Sequence, residues 1–164
     1  MKKLSLLLPL LTLALPWGCR GARLFDNFEK GAPVSRIEVG PFDVAFAVDL
    51  DFRAEFKARE LLPPEETRVL GNLDHVDFRE VTFYADGRDF DYPRQSFTEH
   101  SFWIPLSDFR YIGRAENISI RFDEDEELYA LSDEDMDLIN LFTKKLDFEY
   151  VKAGIEGQRQ PPKK

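Results

Sequence analysis

The sequence predicts a mainly β fold, an antiparallel β-sandwich or jelly-roll-like domain with one amphipathic helix near the C-terminus. Three observations predict it: alternating apolar and polar residues from Phe42 to Arg59, a two-residue hairpin signal at Asp86-Gly87, and a helical pattern at about residues 132–146. Alternation with period two places one face of a strand in the core and the other in water. Several short strands separated by turn residues are typical of two packed sheets.

The first strands surround the alternating run. An earlier strand is predicted at residues 34–39, and Gly40-Pro41 separates it from the run. Because strands usually span about five or six residues, the run itself predicts two strands joined near residues 49–51, or one long bent strand. Residues 53–62 also contain good helix formers, so a helix there is the competing interpretation.

A hairpin follows at residues 76–92. The strand predicted at residues 76–85 ends at Asp86-Gly87, and both turn positions tolerate the positive φ that a type I′ turn requires. The return strand is expected at residues 88–92. Further strands are predicted at residues 96–104 and 117–122, with one or two helical turns between them at residues 105–114.

The C-terminal part contains the predicted helix. A short strand at residues 128–131 precedes Ser132, a favoured N-cap residue, and three acids fill the first turn, where the helix dipole favours negative charge. Apolar residues then recur at helical spacing at Met136, Ile139, Phe142 and Leu146. A last strand is expected at residues 147–153, which completes a β-rich domain over residues 34–153. Residues 154–164 lack an apolar face and predict a disordered tail.

The N-terminus predicts export. Two lysines are followed by an apolar run at residues 4–17 and then by Cys19, the one cysteine of the chain. The run is shorter than the ~20 residues that a membrane-spanning helix needs. We therefore expect cleavage of a signal peptide at residues 1–18.

Residues 15–19, Leu-Pro-Trp-Gly-Cys, resemble the lipobox of bacterial lipoproteins. Gly18 and Cys19 match that pattern, whereas Pro16 and Trp17 depart from it. The resemblance implies a diacylated N-terminal Cys19, a short tether through residue 33, and an anchor in the cell membrane or outer membrane, with the domain facing the periplasm or the exterior. Ordinary secretory cleavage after Gly21 is the alternative, and it would leave a soluble protein.

Composition restricts the partners. The chain has 22 Lys and Arg against 31 Asp and Glu, a formal net charge of −9. This acidic balance argues against nucleic acid and against electrostatic docking on anionic lipid, since both require clustered cations. We therefore expect contact with a membrane through the lipid anchor, and no cofactor. Without a second cysteine the domain cannot be held by disulfides, so its 15 phenylalanines must supply an apolar core.

Three aromatic residues are the candidate ligand contacts. Tyr92, Trp103 and Tyr111 lie on or beside predicted strand ends and loops, where a flat ring can stack on a sugar or a protein surface. Trp103 has the parity opposite to its neighbours Phe102 and Ile104. It marks a contact site if that face is open, and it belongs to the core if the C-terminal helix covers the face, which is the favoured interpretation for a large apolar residue.

The acidic residues raise the question of calcium. Asp133, Asp135 and Asp137 begin like an EF-hand loop, but the pattern fails where Leu138 replaces glycine and Lys144 replaces glutamate. Helix capping explains these aspartates more simply, so no metal is predicted. The weak candidates for calcium ligands are Asp123 and Asp125.

The function predicted from the sequence is a membrane-anchored, non-enzymatic binding or structural domain of the bacterial cell envelope, with an envelope protein or a glycan as its partner. The first alternative is a carbohydrate-binding module that uses Trp103. The second is a carboxylate-dependent hydrolase, which would need a cleft that holds two acids about 5 to 9.5 Å apart. No catalytic residue is singled out.

Overall fold

The structure, a computed structural model, describes residues 23–27, 34–45, 48–57, 62–95, 100–124 and 127–159. Cys19 and the predicted signal peptide lie outside these residues. The elements in chain order are β1 Arg23–Asn27, β2 Val34–Ala45, β3 Val48–Lys57, β4 Arg68–Asp74, β5 Glu80–Ala85, β6 Arg88–Pro93, β7 Ser101–Pro105, α1 Leu106–Ile112, β8 Ile118–Phe122, β9 Tyr129–Ala130 and α2 Asp133–Arg159.

The strands form two antiparallel sheets. A five-stranded sheet has the order β1-β2-β3-β4-β7, and a four-stranded sheet has the order β6-β5-β8-β9. Their inner faces meet through phenylalanine rings: Phe83 of β5 lies 6.1 Å from Phe52 of β3 and 5.8 Å from Phe102 of β7, measured between ring centroids. The predicted mainly β, sandwich-like fold with a C-terminal helix is confirmed.

The two helices complete the core on the inner side of the five-stranded sheet. Phe109 of α1 lies 5.0 Å from Phe52 and 5.6 Å from Phe142 of α2. Tyr150 of α2 packs against the buried Phe56 of β3 at 6.2 Å. Because Phe52 and Phe56 alternate with the polar residues of β3, α2 covers the inner face of β1 to β3, and the other face of that sheet lies outside the core.

The strands at the start of the domain differ from the prediction. β2 continues through Gly40-Pro41, because the glycine adopts φ +125° and the register with β3 shifts between Val39 and Phe42, which absorbs the irregularity as a bulge. The long alternating run is divided between Ala45 and Val48 and not near residues 49–51. β3 extends to Lys57, so the helical interpretation is wrong for residues 53–57, and residues 58–61 lie outside the described residues.

The middle of the chain agrees more closely. The Asp86-Gly87 hairpin is confirmed, with positive φ at both residues, although its first strand begins at Glu80 and not at residue 76. β7 begins at Ser101, and residues 96–99 of the predicted strand lie outside the described part. α1, β8 and β9 occupy the segments where a short helix and two strands were predicted.

The two ends of the domain are more ordered in secondary structure than predicted. Residues 23–27, interpreted as part of a tether, form β1 and pair with β2. The strand predicted at residues 147–153 is wrong, because α2 continues to Arg159 and buries Leu146, Glu149 and Ala153 at helical spacing. The first six residues of the predicted disordered tail therefore belong to the helix, and residues 160–164 lie outside the described residues.

Among the described residues, the structure contains no helix that is both long enough and apolar enough to cross a bilayer.

Candidate functional site

The side of the five-stranded sheet that faces away from the core is the first candidate surface, and we call it the outer sheet face. One row of directly paired residues crosses it, from Glu38 to Arg53, Leu70 and Trp103. Trp103 is partly exposed at the end of that row, on the edge strand β7. The helix does not cover it, since α2 packs on the opposite side of the sheet. Trp103 thus has the parity opposite to Phe102 and Ile104, as predicted, but the favoured interpretation that the C-terminal helix buries it in the core is wrong.

Paired charges occupy the middle of the outer sheet face. The guanidinium of Arg53 lies 2.8 Å from the carboxylate of Glu38, and Arg36 Nε donates a hydrogen bond to Glu55 Oε1 at 2.8 Å. The interaction with Glu55 raises the pKa of Arg36. Each cation therefore faces a carboxylate on the neighbouring strand, which is the favourable arrangement for opposite charges across a sheet.

Acids accumulate at one end of the same face. Asp43, Asp49 and Asp74 form a cross-strand row on β2, β3 and β4. In the next row, Asn72 donates hydrogen bonds to Asp74 at 3.0 Å and to Asp51 at 3.4 Å. Partial burial raises the pKa of Asp51, and this effect outweighs the opposing hydrogen bond from Asn72. The outer sheet face thus carries acids at one end of its strands and Trp103 on its β7 edge.

Tyr92, one of the predicted ligand contacts, lies in the core. Its ring is nearly parallel to that of Phe102, with centroids 6.3 Å apart, and it is 6% exposed. Its hydroxyl donates a hydrogen bond to Asp108 Oδ2 at 3.2 Å. Burial and the negative charge of Asp108 raise the pKa of this phenol. Tyr92 therefore ties β6 to α1 and offers no ring face to a ligand.

Tyr111 lines a cavity of about 350 Å³ between α1 and the β5–β6 turn. Its ring packs against Phe90 at 5.5 Å and lies under the guanidinium of Arg88 at 4.5 Å. The other lining residues are Asp86, Ser107, Arg110, Arg114 and Ala115. The chemistry of this cavity is polar and mixed in charge.

The charged groups of this cavity also hold the fold together. The Asp86 carboxylate accepts backbone N–H groups of Glu116 and Asn117 at 3.0–3.1 Å. Arg110 Nε donates to Asp147 of α2 at 2.6 Å, and Arg114 pairs with the same carboxylate. Arg110 of α1 and Arg114, two residues after its end, thereby hold α2 against α1.

The acids considered for calcium have a structural role where they are described. Asp123, at φ +50°, accepts the backbone N–H groups of Arg79 and Glu80 at 2.6 and 2.9 Å. This bond joins the start of β5 to the end of β8, beside a cavity of about 680 Å³. Asp125 lies outside the described residues. In the part of the chain that the structure describes, no three His, Cys, Asp or Glu side chains are grouped so as to hold a metal ion.

A second surface was not predicted. Four large apolar side chains of α2 are about half exposed, and they are Leu141, Phe148, Val151 and Ile155. The seven-residue spacing of 141, 148 and 155, with 151 one turn from the last two, places them on the side of α2 that points away from the core, which we call the outer helix face. That spacing was the available signal in the sequence.

The start of α2 conforms to the prediction. Ser132 Oγ accepts the backbone N–H of Asp135 at 3.2 Å, and Asp133, Glu134 and Asp135 occupy the first turn. Ser132 therefore caps the helix, and the acids lie where the helix dipole favours negative charge, as the sequence indicates. The acidic first turns thus differ in charge from the half of the helix that carries the outer helix face.

Comparison with known proteins returned no protein-family model, no curated protein and no solved structure that matches this chain.

Proposed function

We propose that this chain is a lipid-anchored protein of the bacterial cell envelope, and that its β-rich domain binds an envelope protein or polymer without catalysing a reaction. The carrying observation is the position of Cys19 relative to the folded domain. β1 begins at Arg23, four residues after Cys19. At a maximum of about 3.5 Å per residue, four residues span about 14 Å.

This short span supports a tethering role. A tether that extended through residue 33 would let the domain move about 50 Å from the membrane, whereas a strand beginning at Arg23 keeps it against the surface. Two acyl chains on one cysteine provide stable membrane binding where one chain is marginal. The mechanism of the proposed protein is to hold a binding surface at high effective concentration near the membrane.

Metabolic labelling tests the anchor. Wild-type protein, Cys19→Ala and the matched control Arg20→Ala are expressed with a clickable fatty acid, and the mass of the mature N-terminus is measured. We expect label in the wild type and in Arg20→Ala, and none in Cys19→Ala. Equal labelling of all three, or a mature chain that starts at Ala22 with no modification, would overturn the proposal.

Trp103 supports a second candidate, binding of a carbohydrate by the outer sheet face. A partly exposed indole beside Leu70, with paired polar groups along the same face, combines a stacking platform with hydrogen-bonding groups. A glycan array probed with the purified protein tests it. If a glycan binds, Trp103→Ala should weaken binding by about tenfold or more, whereas Phe148→Ala on the other side of the domain should not. The absence of any bound glycan would reject this candidate.

A further inference from the structure

The outer helix face combines exposed apolar groups with cations. Leu141, Phe148, Val151 and Ile155 are 46–61% exposed, whereas Ile139, Phe142, Leu146 and Ala153 on the opposite side of α2 are at most 6% exposed. The exposed residues span 14 positions, or about 21 Å of helix at 1.5 Å per residue. Exposure of an apolar strip of this length to water is unfavourable, and such strips mark interaction surfaces.

Lysines alternate with these apolar residues. Lys144, Lys145 and Lys152 fall within about one-sixth of a turn of the strip. The Lys145 ammonium lies 5.7 Å from the centre of the Phe148 ring. Lys145 and Lys152 also reach the buried Glu149 carboxylate, at 3.7 and 3.4 Å, which holds both side chains beside the strip.

The two acids between residues 141 and 155 are paired with cations. Between residues 141 and 155 the chain has three lysines and two acids, Asp147 and Glu149. Asp147 is held by Arg110 and Arg114, and Glu149 by the two lysines. Between residues 141 and 155 three lysines therefore stand against two carboxylates, an excess of one positive charge in a chain of net charge −9.

We propose that the outer helix face docks on an anionic membrane surface, with its apolar side chains in the boundary between headgroups and acyl chains. Apolar residues interleaved with lysines are typical of helices that lie in the plane of such a membrane. A second copy of this chain fits less well, because Lys144 interrupts the strip between Leu141 and Phe148 and pairing would bring the lysines of two copies together.

The inference rests on the proposed function in one respect: Cys19 delivers the face to a membrane. α2 contacts β1, and Cys19 precedes β1 by four residues, so a lipid on Cys19 would hold α2 close to the membrane. Two attachments fix the orientation of the domain where one leaves it free to rotate. With α2 on the membrane, the outer sheet face on the other side of the domain points away from it.

Site-specific fluorescence tests the docking. A cysteine for an environment-sensitive fluorophore is introduced as Val151→Cys on the outer helix face, or as Arg68→Cys on the outer sheet face as the matched control. The full-length protein from membranes is reconstituted in vesicles of phosphatidylcholine with or without phosphatidylglycerol, together with a nitroxide-labelled lipid. We expect lipid quenching at position 151 in phosphatidylglycerol vesicles, much less without phosphatidylglycerol, and little at position 68 in either.

Two substitutions of Phe148 test whether its apolar side chain drives the docking. In the Val151→Cys background, Phe148→Asp should lower the ratio of docked to undocked protein by about tenfold or more, whereas Phe148→Leu should retain docking. Equal quenching at positions 151 and 68 in anionic vesicles would overturn the inference. So would a label at 151 that is shielded from water in a dimer without vesicles, since the occupant would then be a second copy.

Label stoichiometry separates the two proposals. If Cys19 is acylated on its thiol, each variant takes up one fluorophore, and two fluorophores per chain would show an unmodified Cys19 and reject the anchor. The difference in quenching between positions 151 and 68 decides the docking in either case, because a label on Cys19 contributes equally to both variants.

Discussion

The two outward sides of this domain, the outer sheet face and the outer helix face, differ in how they arrange charge. On the sheet, cations and carboxylates face each other across neighbouring strands, as Arg53 and Glu38 do at 2.8 Å. On the helix, Asp147 pairs with arginines of the α1 region and Glu149 pairs with two lysines, and exposed apolar side chains lie beside these pairs. The outer sheet face is therefore polar over most of its width and suited to contact with water. The outer helix face has the apolar composition that is typical of a surface covered by a partner.

The difference follows from the geometry of the two elements. In β3, alternation gives every second position to water, and directly opposed residues on the next strand complete each charge pair. In α2, the side opposite the core repeats every three to four residues, and residues 141, 148, 151 and 155 place apolar groups there. A polar outer side would be the simpler choice for a helix exposed only to water.

The largest expected effect contrasts two phenylalanines of α2. Phe142 is fully buried against Phe109, so that Phe142→Ala leaves a cavity and should lower the free energy of unfolding by about 3–5 kcal/mol. Phe148 is 61% exposed, so that Phe148→Ala should change the free energy of unfolding in solution by less than about 0.5 kcal/mol. Urea unfolding of both variants measures the contrast. A large loss in Phe148→Ala would show that its side chain stabilises the fold and would weaken the case for a docking surface.

An intermediate effect on stability is expected at the ion pairs that join α2 to the α1 region. Asp147 accepts bonds from Arg110 and Arg114, and Asp147→Asn removes the charge from both pairs while keeping the shape of the side chain. We expect a loss of about 1–3 kcal/mol in the free energy of unfolding, because these groups are partly buried and hydrogen bonds to charged groups are strong. Asp137→Asn, an exposed acid on the same helix, is the control and should stay within about 0.5 kcal/mol of wild type.

Local patterns predicted much of the fold. The alternation in β3 and the Asp-Gly turn each carry their own signal, and both elements form. β4 was missed, because Gly71 interrupts its alternation of apolar residues. The glycine is needed for a nonlocal reason: a Cβ there would lie 2.3 Å from the ring of Phe102 on β7. Gly71 and Phe102 are about thirty positions apart in the sequence, so a prediction from neighbouring residues does not detect this contact.

The strand predicted at residues 147–153 is wrong for the opposite reason: a local pattern is present, but it indicates the wrong element. Residues 147–150 alternate acids with aromatic residues, which indicates a strand locally, but they lie within α2, which buries Leu146, Glu149 and Ala153 at helical spacing. Treating them as a strand divided the strip of the outer helix face into two unrelated pieces. The net charge of the chain concealed it further, since three lysines in fifteen residues disappear in a total of −9.

The three predicted ligand contacts show which features of a site can be predicted from the sequence. Parity along β7 placed Trp103 on the face opposite to Phe102 and Ile104, whereas the cavity that Tyr111 lines from α1 was not predicted. Tyr92 lies in the core because its register with Val81 of β5 directs the ring inward, toward Phe83 and Phe102. Register between strands depends on pairing across the sheet, and a single sequence does not display it.

A pH-dependent effect is expected on the outer sheet face at Asp51. Burial raises the pKa of this carboxyl, so the folded state still binds a proton that the unfolded state has released. The free energy of unfolding therefore decreases as pH rises from the ordinary pKa of aspartate to the raised value. Asp51→Asn removes this dependence, and its stability relative to wild type should be higher at pH 7 than at pH 3. Unfolding curves at both values measure it.

Asp43→Asn is the matched control, because Asp43 is an exposed acid on the same face. It reports how much stability changes when one negative charge is removed from an acidic surface without removing a buried group. If both variants gain equally between pH 3 and pH 7, the effect comes from the net charge of the face, and the burial of Asp51 contributes nothing.

The smallest effect concerns the charge pairs that distinguish the two faces. Arg53 and Glu38 are directly opposed on β3 and β2, but their side chains are partly exposed, at 42% and 30%. Because water screens an exposed pair, a double-mutant cycle with Arg53→Ala and Glu38→Ala should give a coupling of only about 0.2–1 kcal/mol, and it should decrease in high salt. A coupling of several kcal/mol would mean that these pairs stabilise the fold. A small one leaves solubility as their role, since charges held in opposite pairs keep this face hydrated.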